Sequence, residues 1–242
     1  MSALASHAAT LAAAPTIDTS RDCYTFPANN WFCPGYLSDY QSEITTALIE
    51  HIRLTGLTIL IGVAVAIPLA VLARRSSTLE SLLLGTSTII YTVPSLAMFS
   101  LLVPFTGLTG TTVVIGLVLY SLTILVRNTL AGLRAVPDDV RESARGLGYG
   151  SAKLLLRIEL PLAIPVIMAG VRVATVSTVA LVTIGYIVGF GGLGQLIAVG
   201  VDTDFKAQVT VASILCVALA VALDVVLLGT QRALTPWTRA RA

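Results

Sequence analysis

Long apolar segments dominate the pattern of hydrophobic and polar positions along this 242-residue chain. A helix that crosses the hydrocarbon core of a bilayer needs about 20 predominantly apolar residues, and five segments reach that length. The predicted spans are Ala47–Ala73, Leu82–Val103, Thr111–Leu133, Leu162–Val188 and Val209–Thr230. We therefore expect an all-α polytopic membrane protein with about five transmembrane helices.

Prolines and glycines interrupt this apolar pattern. Pro68, Pro94 and Pro165 lie inside predicted spans, where neighbouring helices can satisfy the backbone groups that a proline frees. We expect these prolines to kink the helices without breaking them. After the fourth span, the glycines of Gly189–Gly194 predict an irregular turn outside the cytoplasm.

The composition agrees with a bilayer environment. Hydrophobic residues make up 55% of the chain, charged residues make up 12%, and the mean hydropathy is +0.88. A soluble domain carries roughly a quarter charged residues, so this chain has too little polar surface for a water-soluble globule. The net charge of +2 argues against nucleic acid as a partner, because phosphate backbones are bound by concentrated basic faces.

Basic residues are sorted by membrane side. Three connections that share one side carry most of them, namely Arg74, Arg75, Arg134, Arg141, Arg145, Lys153, Arg157, Arg232, Arg239 and Arg241. The opposite connections, Pro104–Gly110 and Gly189–Gln208, contain only Lys206. Because cytoplasmic loops are enriched in Lys and Arg, we expect the N-terminus outside and the C-terminus in the cytoplasm.

This orientation divides the chain into three regions. Residues 1–46 are predicted to be an extracytoplasmic segment, residues 47–233 the transmembrane domain, and residues 234–242 a cytoplasmic tail. Residues 1–14 lack a basic n-region and have only a short apolar run, so we do not expect a cleaved signal peptide.

The extracytoplasmic segment contains two of the three cysteines. Cys23 and Cys33 would lie in a compartment that permits disulfides, and a bridge between them would close a short loop. The alternative is two unpaired thiols in a disordered extension. With Cys216 as the third cysteine, the cysteines are too few and too scattered for a zinc site, and no metal site is expected.

The connection 135–161 is the longest predicted cytoplasmic loop. Asp138 and Asp139 follow a proline, so they favour a helix start near the positive end of the helix dipole. Gly146, Gly148 and Gly150 are expected to end that helix and to turn the chain. A second, amphipathic helix is predicted at Ser151–Leu160, leading back to the membrane.

The spacing within this loop resembles the EAA loop of ABC importer permeases, in which Glu-Ala-Ala is followed by a glycine and then by Ile-x-Leu-Pro. The matching residues are Glu142, Ser143, Ala144, Gly148, Ile158, Leu160 and Pro161. Ser143 departs from the family's alanine by one small residue. The segments Thr92–Gly110, Tyr120–Pro137 and Val188–Ile197 are similar to permeases of the glycine betaine, carnitine and choline class.

The resemblance implies a type I ABC importer permease in a bacterial plasma membrane, with a coupling helix that docks on an ATPase. It implies an ATPase dimer, a second permease subunit, identical or paralogous, and an extracytoplasmic substrate-binding protein. No phosphate-binding G-x-x-x-x-G-K-[ST] motif occurs in the sequence. We therefore expect no cofactor and no catalytic residue in this chain, with ATP and magnesium held by the partner ATPase.

Three ionisable residues lie within or near the predicted spans, namely Arg127, Arg172 and Asp224. Charged groups inside a membrane usually pair with one another or face a cavity. We expect Asp224 to pair with Arg127 or Arg172 in a structural role. Substrate contact is the less favoured alternative, since arginines would repel a cationic solute.

Other functions remain open at this point. The same architecture could import another small solute, such as an amino acid, a thiol-betaine or a polyphenol. An intramembrane enzyme would need a nucleophile and a base in contact, but His7 and His51 lie outside or at the outer edge of the bundle. A channel or secondary transporter would leave the docking loop unexplained, and the inverted repeats typical of such transporters are not found.

Overall fold

A computed structural model of the chain describes residues 22–24 and 28–237. The predictions for residues 1–14, His7, Arg239 and Arg241 lie outside these residues. The described part of the chain forms helices and contains no strand. Its α-helices are α1 (Pro34–Asp39), α2 (Gln41–Ala73), α3 (Ser77–Thr92), α4 (Ser95–Thr106), α5 (Gly110–Arg134), α6 (Asp138–Gly146), α7 (Ser151–Leu154), α8 (Leu160–Val182), α9 (Leu193–Asp202) and α10 (Lys206–Leu234).

Four helical segments in the described residues are long and apolar enough to cross a membrane, and the pair α3 and α4 makes a fifth if it is counted as one bent span. The predicted all-α architecture with about five spans is therefore confirmed. The amphipathic helix predicted at Ser151–Leu160 begins at Ser151 as α7 but continues into the fourth span without a break. A π-helical turn at Leu155–Glu159 joins α7 to α8, and a 3₁₀ segment at Thr183–Val188 extends α8 at its other end.

The second predicted span is wrong as a single kinked helix. α3 and α4 meet at an angle of 99° at the break formed by Val93 and Pro94. Proline lacks an N–H and forces the preceding residue out of helical geometry, and Val93 is extended at φ −65° and ψ 128°. The Tyr120 hydroxyl of α5 donates to the carbonyl of Val93, so a neighbouring helix stabilises the break. Pro68 and Pro165, in contrast, lie inside continuous helices.

The core lies where α2, α5 and α8 pack together. Small residues allow close contact, since Ala66 and Ala70 of α2 and Ala163 of α8 are fully buried in one cluster. A Cβ on Gly170 of α8 would lie only 2.3 Å from the Cβ of Asn128 in α5. Packing of small residues is a common way for membrane helices to approach closely. It gives the bundle a closely packed centre between two structurally different ends.

We call these ends the loop end, which carries residues 135–161, and the N-terminal cap. The cap consists of the described residues before α2 and the turn Thr203–Phe205 between α9 and α10. The irregular turn predicted at Gly189–Gly194 is present, since Gly189 and Gly192 turn the chain at positive φ. The ten-residue helix α9 that follows it was not predicted.

Candidate functional site

The loop end is built around the short helix α6. Asp138 and Asp139 occupy its first turn, as the sequence predicts, where carboxylates stabilise the end of the helix dipole. Gly148 adopts φ +83°, a left-handed conformation that a β-branched residue resists. The amide of Tyr149 then donates to the carbonyl of Ala144 at 3.1 Å. Gly148 thus sets the angle at which the chain leaves α6.

The predicted motif residues are distributed over two sides of α6. Ser143, Ala144 and Ile158 line an outer groove of about 290 Å³. Leu147 borders the same groove with 79% of its surface exposed. Together with Ala144 and Ile158, Leu147 gives this groove an apolar lining that is open to a partner protein. Leu147 was not predicted from the sequence, although its position after a polar helix was a signal.

Glu142 lies on the inner side of α6 and not in the groove. It borders a second cavity, of about 620 Å³, between α6 and the ends of α2 and α5. Five arginine side chains line this cavity, namely Arg74, Arg75, Arg134, Arg141 and Arg145. Leu160 and Pro161 begin α8, and Leu160 packs against the core. The end of the motif therefore positions the loop on the bundle.

Glu159 is the functional candidate that the sequence analysis missed. It is only 3% exposed and accepts hydrogen bonds from Arg74 Nη1 at 2.6 Å and from Arg141 Nε at 3.1 Å. Arg141 also donates to the carbonyl of Leu133 and to Asp138, each at 2.6 Å. The one available signal was an acidic residue four positions after Leu155 on the otherwise apolar side of the predicted amphipathic helix.

Two of the three charged residues predicted within or near the spans form an ion pair with each other. Arg172 of α8 donates two hydrogen bonds, each of 2.8 Å, to the carboxylate of Asp224 in α10. Arg127 donates to the hydroxyl of Thr88 in α3 at 2.7 Å. Of the two arginines considered for Asp224, the structure therefore pairs it with Arg172.

The N-terminal cap combines a disulfide with an aromatic cluster. Cys23 and Cys33 are bonded to each other, and Asn29 between them donates to the carbonyl of Asp204 at 2.5 Å. The rings of Tyr24, Tyr36, Tyr40 and Phe205 lie with centroids 4.8–6.2 Å apart.

Tyr36 lies at the centre of this cluster. Burial, together with the Glu43 carboxylate and Tyr40, raises the pKa of Tyr36 to about 12. The buried hydroxyl of Tyr36 has no hydrogen-bond partner in the described part of the chain. The tyrosine is therefore held by its ring.

Comparison with known proteins identifies the chain's family. The family model described as "binding-protein-dependent transport system inner membrane component" matches residues 59–240. The chain belongs to this family. It is 33% identical to the choline transport system permease protein OpuBB of Bacillus subtilis over 83% of this chain and 93% of that protein. It is 34% identical to the osmoprotectant import permease protein OsmW of Salmonella typhimurium over 83% of this chain and 96% of that protein.

Solved structures agree with the fold of this inner membrane component. A chain of the MetNI methionine ABC transporter, in an inward-facing conformation, matches with a TM-score of 0.71 and 18% identity over 81% of this chain and 98% of that chain. A chain of an amino acid ABC transporter matches with a TM-score of 0.67 and 20% identity over 81% and 96% of the two chains. At this identity the likeness establishes the type I ABC importer permease fold alone.

The family defines what kind of protein this inner membrane component is. It is a multi-pass subunit of a transporter in the plasma membrane and not an enzyme, and the family works with an ATPase and a substrate-binding protein. Within the described residues, no group of three or more His, Cys, Asp or Glu side chains is arranged to hold a metal ion.

Proposed function

We propose that this permease subunit imports osmoprotectants that carry a quaternary ammonium group, such as glycine betaine, choline or carnitine. The observation that carries the proposal is the set of relatives with 32–36% identity over at least 83% of this chain. Their names specify choline, carnitine, glycine betaine or osmoprotectant transport. In this proposal the binding protein recognises the cation, with an aromatic cage of the kind that holds quaternary ammonium groups.

In this proposal the transporter contains two permease subunits, an ATPase dimer that holds ATP and magnesium, and an extracytoplasmic binding protein. ATP-driven closure of the ATPases moves α6 and switches the pore between inward-facing and outward-facing states. The outer groove with Leu147 forms the docking surface for the ATPase. The exposed carboxylate of Glu142, on the other side of α6, forms a second contact with it. Support comes from the exposure of Leu147 and from the EAA spacing around it.

We propose that the loop end faces the cytoplasm and the N-terminal cap faces outward. Support comes from the basic residues, since Arg74, Arg75, Arg134, Arg141 and Arg145 all line one cavity at the loop end. A cysteine introduced at Thr109 would be labelled from outside, and one introduced at Arg145 would be protected. The reverse labelling pattern would contradict this orientation.

The ion pair between Arg172 and Asp224 has a structural role in this proposal. Its two parallel hydrogen bonds match the guanidinium to the carboxylate, a geometry that satisfies both charges within the membrane. A paired arginine does not repel a passing cation as a free one would. The ion pair thus holds α8 to α10. The disulfide between Cys23 and Cys33 has a similar structural role in the N-terminal cap.

The test of the proposed function is reconstitution of the permease with its ATPase and binding protein in proteoliposomes. We expect ATP-dependent uptake of radiolabelled choline or glycine betaine, and Glu142→Ala is expected to lower both uptake and the ATP hydrolysis that the binding protein stimulates. Ser151→Ala, a substitution at an exposed residue after the turn, serves as the control. Uptake of an amino acid without any uptake of quaternary ammonium solutes would refute the substrate, and wild-type rates in Glu142→Ala would refute the docking role.

A further inference from the structure

We propose that Glu159 is a positioning residue that transmits the movement of α6 to the transmembrane helices. The inference rests on the proposed docking of α6 to the ATPase. Glu159 is not one of the matched motif residues, since it occupies the variable position between Ile158 and Leu160. What distinguishes it is a buried carboxylate that joins two arginines from different parts of the chain.

The geometry joins α6 to three helix ends. Glu159 stands directly before α8, and its two carboxylate oxygens accept from Arg74, the residue after α2, and from Arg141 in α6. Arg141 continues the connection to α5 through the carbonyl of Leu133. A displacement of α6 therefore acts through Arg141 on α5, and through Glu159 on α2 and α8.

Among the described residues, the apolar packing of α6 is limited to a small patch at the outer groove, where Val140 and Ala144 meet Ile158. In that helix Ala144 is the buried residue, and the rest of its surface is partly or fully exposed. Helix α6 is highly polar and separated from the bundle by the basic cavity. The charged hydrogen bonds across that cavity attach α6 to the bundle, and charge-assisted hydrogen bonds are roughly twice as strong as neutral ones.

The arginines provide a matched pair of variants. Arg74 contacts Glu159, whereas the guanidinium of neighbouring Arg75 makes no ion pair within the described residues. Both border the same cavity. Arg74→Gln and Arg75→Gln therefore remove the same charge from nearly the same place, and only the first removes a contact to Glu159.

The experiment measures two ratios in proteoliposomes that contain the whole transporter. One is choline uptake per ATP hydrolysed, and the other is the ratio of ATP hydrolysis with and without the binding protein. We expect Glu159→Gln and Arg74→Gln to lower both ratios by roughly fivefold, a change on the order of the smaller coupling effects between sites in proteins. Arg75→Gln is expected to keep the wild-type value of both ratios.

A double variant separates transmission from mere folding. If Arg74 acts through Glu159, Arg74→Gln adds nothing in a Glu159→Gln background, because residues in one network are not additive. A residue with only a structural role would lower the amount of assembled transporter and leave uptake per ATP unchanged. Three results would overturn the proposal. They are a lower amount of transporter with unchanged uptake per ATP, additive losses in the double variant, and a loss in Arg75→Gln equal to that in Arg74→Gln. If Glu159→Gln fails to assemble, the comparison of Arg74→Gln with Arg75→Gln decides.

Failure of the proposed substrate would be recognised separately. Wild-type vesicles that accumulate neither choline nor glycine betaine would refute the substrate class. The stimulation of ATP hydrolysis by the binding protein would still be measurable, and its loss in Arg74→Gln with retention in Arg75→Gln would support the role of Glu159.

Discussion

The two ends of the bundle are held together by different chemistry. At the loop end, Glu159 joins Arg74 and Arg141 through charged hydrogen bonds. At the N-terminal cap, a disulfide closes the segment that contains Asn29, and four aromatic rings pack on one another. Charged hydrogen bonds depend strongly on geometry, whereas ring packing and a covalent bridge fix one arrangement. This difference is consistent with the roles proposed for the two ends, in which the loop end transmits movement and the cap holds one arrangement.

This comparison predicts that substitutions at the two ends change different measured quantities. Variants at the loop end are expected to change transport activity while the protein still inserts in the membrane. Variants at the cap are expected to change the free energy of unfolding and to leave uptake per ATP unaltered.

The largest effect is expected for Gly148→Val. Gly148 has φ +83° with open space around it, so the valine meets backbone strain and no steric clash with a neighbour. Strain of this kind costs about 1–3 kcal/mol, and relief of it would turn α6 away from its docking position. We expect uptake and stimulated ATP hydrolysis to fall roughly 5- to 150-fold, the range that corresponds to that energy.

Gly146→Val is the matched control for this prediction. Gly146 is the last residue of α6 and also has open space where a side chain would begin, but its φ is not positive. Uptake and hydrolysis in reconstituted vesicles are compared for both variants at equal amounts of inserted protein. Equal activities of the two variants would show that the turn at Gly148 does not position α6.

An intermediate effect is expected when the cap disulfide is removed. Cys23→Ser combined with Cys33→Ser opens a loop with a sequence separation of 10, and a native disulfide usually contributes about 2–4 kcal/mol. We expect a lower thermal unfolding temperature under non-reducing conditions and an unchanged ratio of uptake to hydrolysis. Cys216→Ser, at the cysteine that is free, is the control. A fall in the ratio without a loss of stability would reverse the roles assigned to the two ends.

The smallest effect is expected for Tyr36→Phe. The variant removes a buried hydroxyl that has no partner in the described residues and keeps the ring that contacts Tyr40 and Phe205. Removal of an unsatisfied polar group is nearly neutral or stabilising, so the change in unfolding free energy is expected within about 0.5 kcal/mol. Tyr36→Ala loses the ring and is expected to cost about 3–5 kcal/mol. Thermal unfolding of both variants measures the difference, and equal losses would mean that the hydroxyl holds the cap.

Alkaline titration gives an independent measurement of the same side chain. The pKa of Tyr36 is raised to about 12 from a reference value of about 10. The neutral phenol is therefore favoured in the folded cap, and its contribution to stability is complete below about pH 10 and is lost as the pH rises toward 12. The wild type is expected to lose more stability than Tyr36→Phe over this alkaline range.

The sequence was sufficient for features that depend on local pattern. Continuous apolar segments located α2, α5 and α10, and paired aspartates and glycines located both ends of α6. Features that depend on distant partners were not accessible. The break at Pro94 is stabilised by a hydroxyl from Tyr120, and the buried charge of Glu159 requires Arg74, which is 85 positions away. A single sequence does not specify which of several arginines will reach one carboxylate.

The break between α3 and α4 has a consequence for the surrounding lipid. α3 has 16 residues and is about 24 Å long at 1.5 Å per residue, whereas the hydrocarbon core of a bilayer is about 30 Å thick. The 33 residues of α2 exceed that thickness easily. As a span by itself α3 would be too short, and a short helix is accommodated by thinning of the bilayer at a cost of fractions of a kcal/mol per Å. We therefore expect lipids with shorter acyl chains to reduce the mismatch at α3, whereas a helix as long as α2 adapts to the same bilayer by tilting.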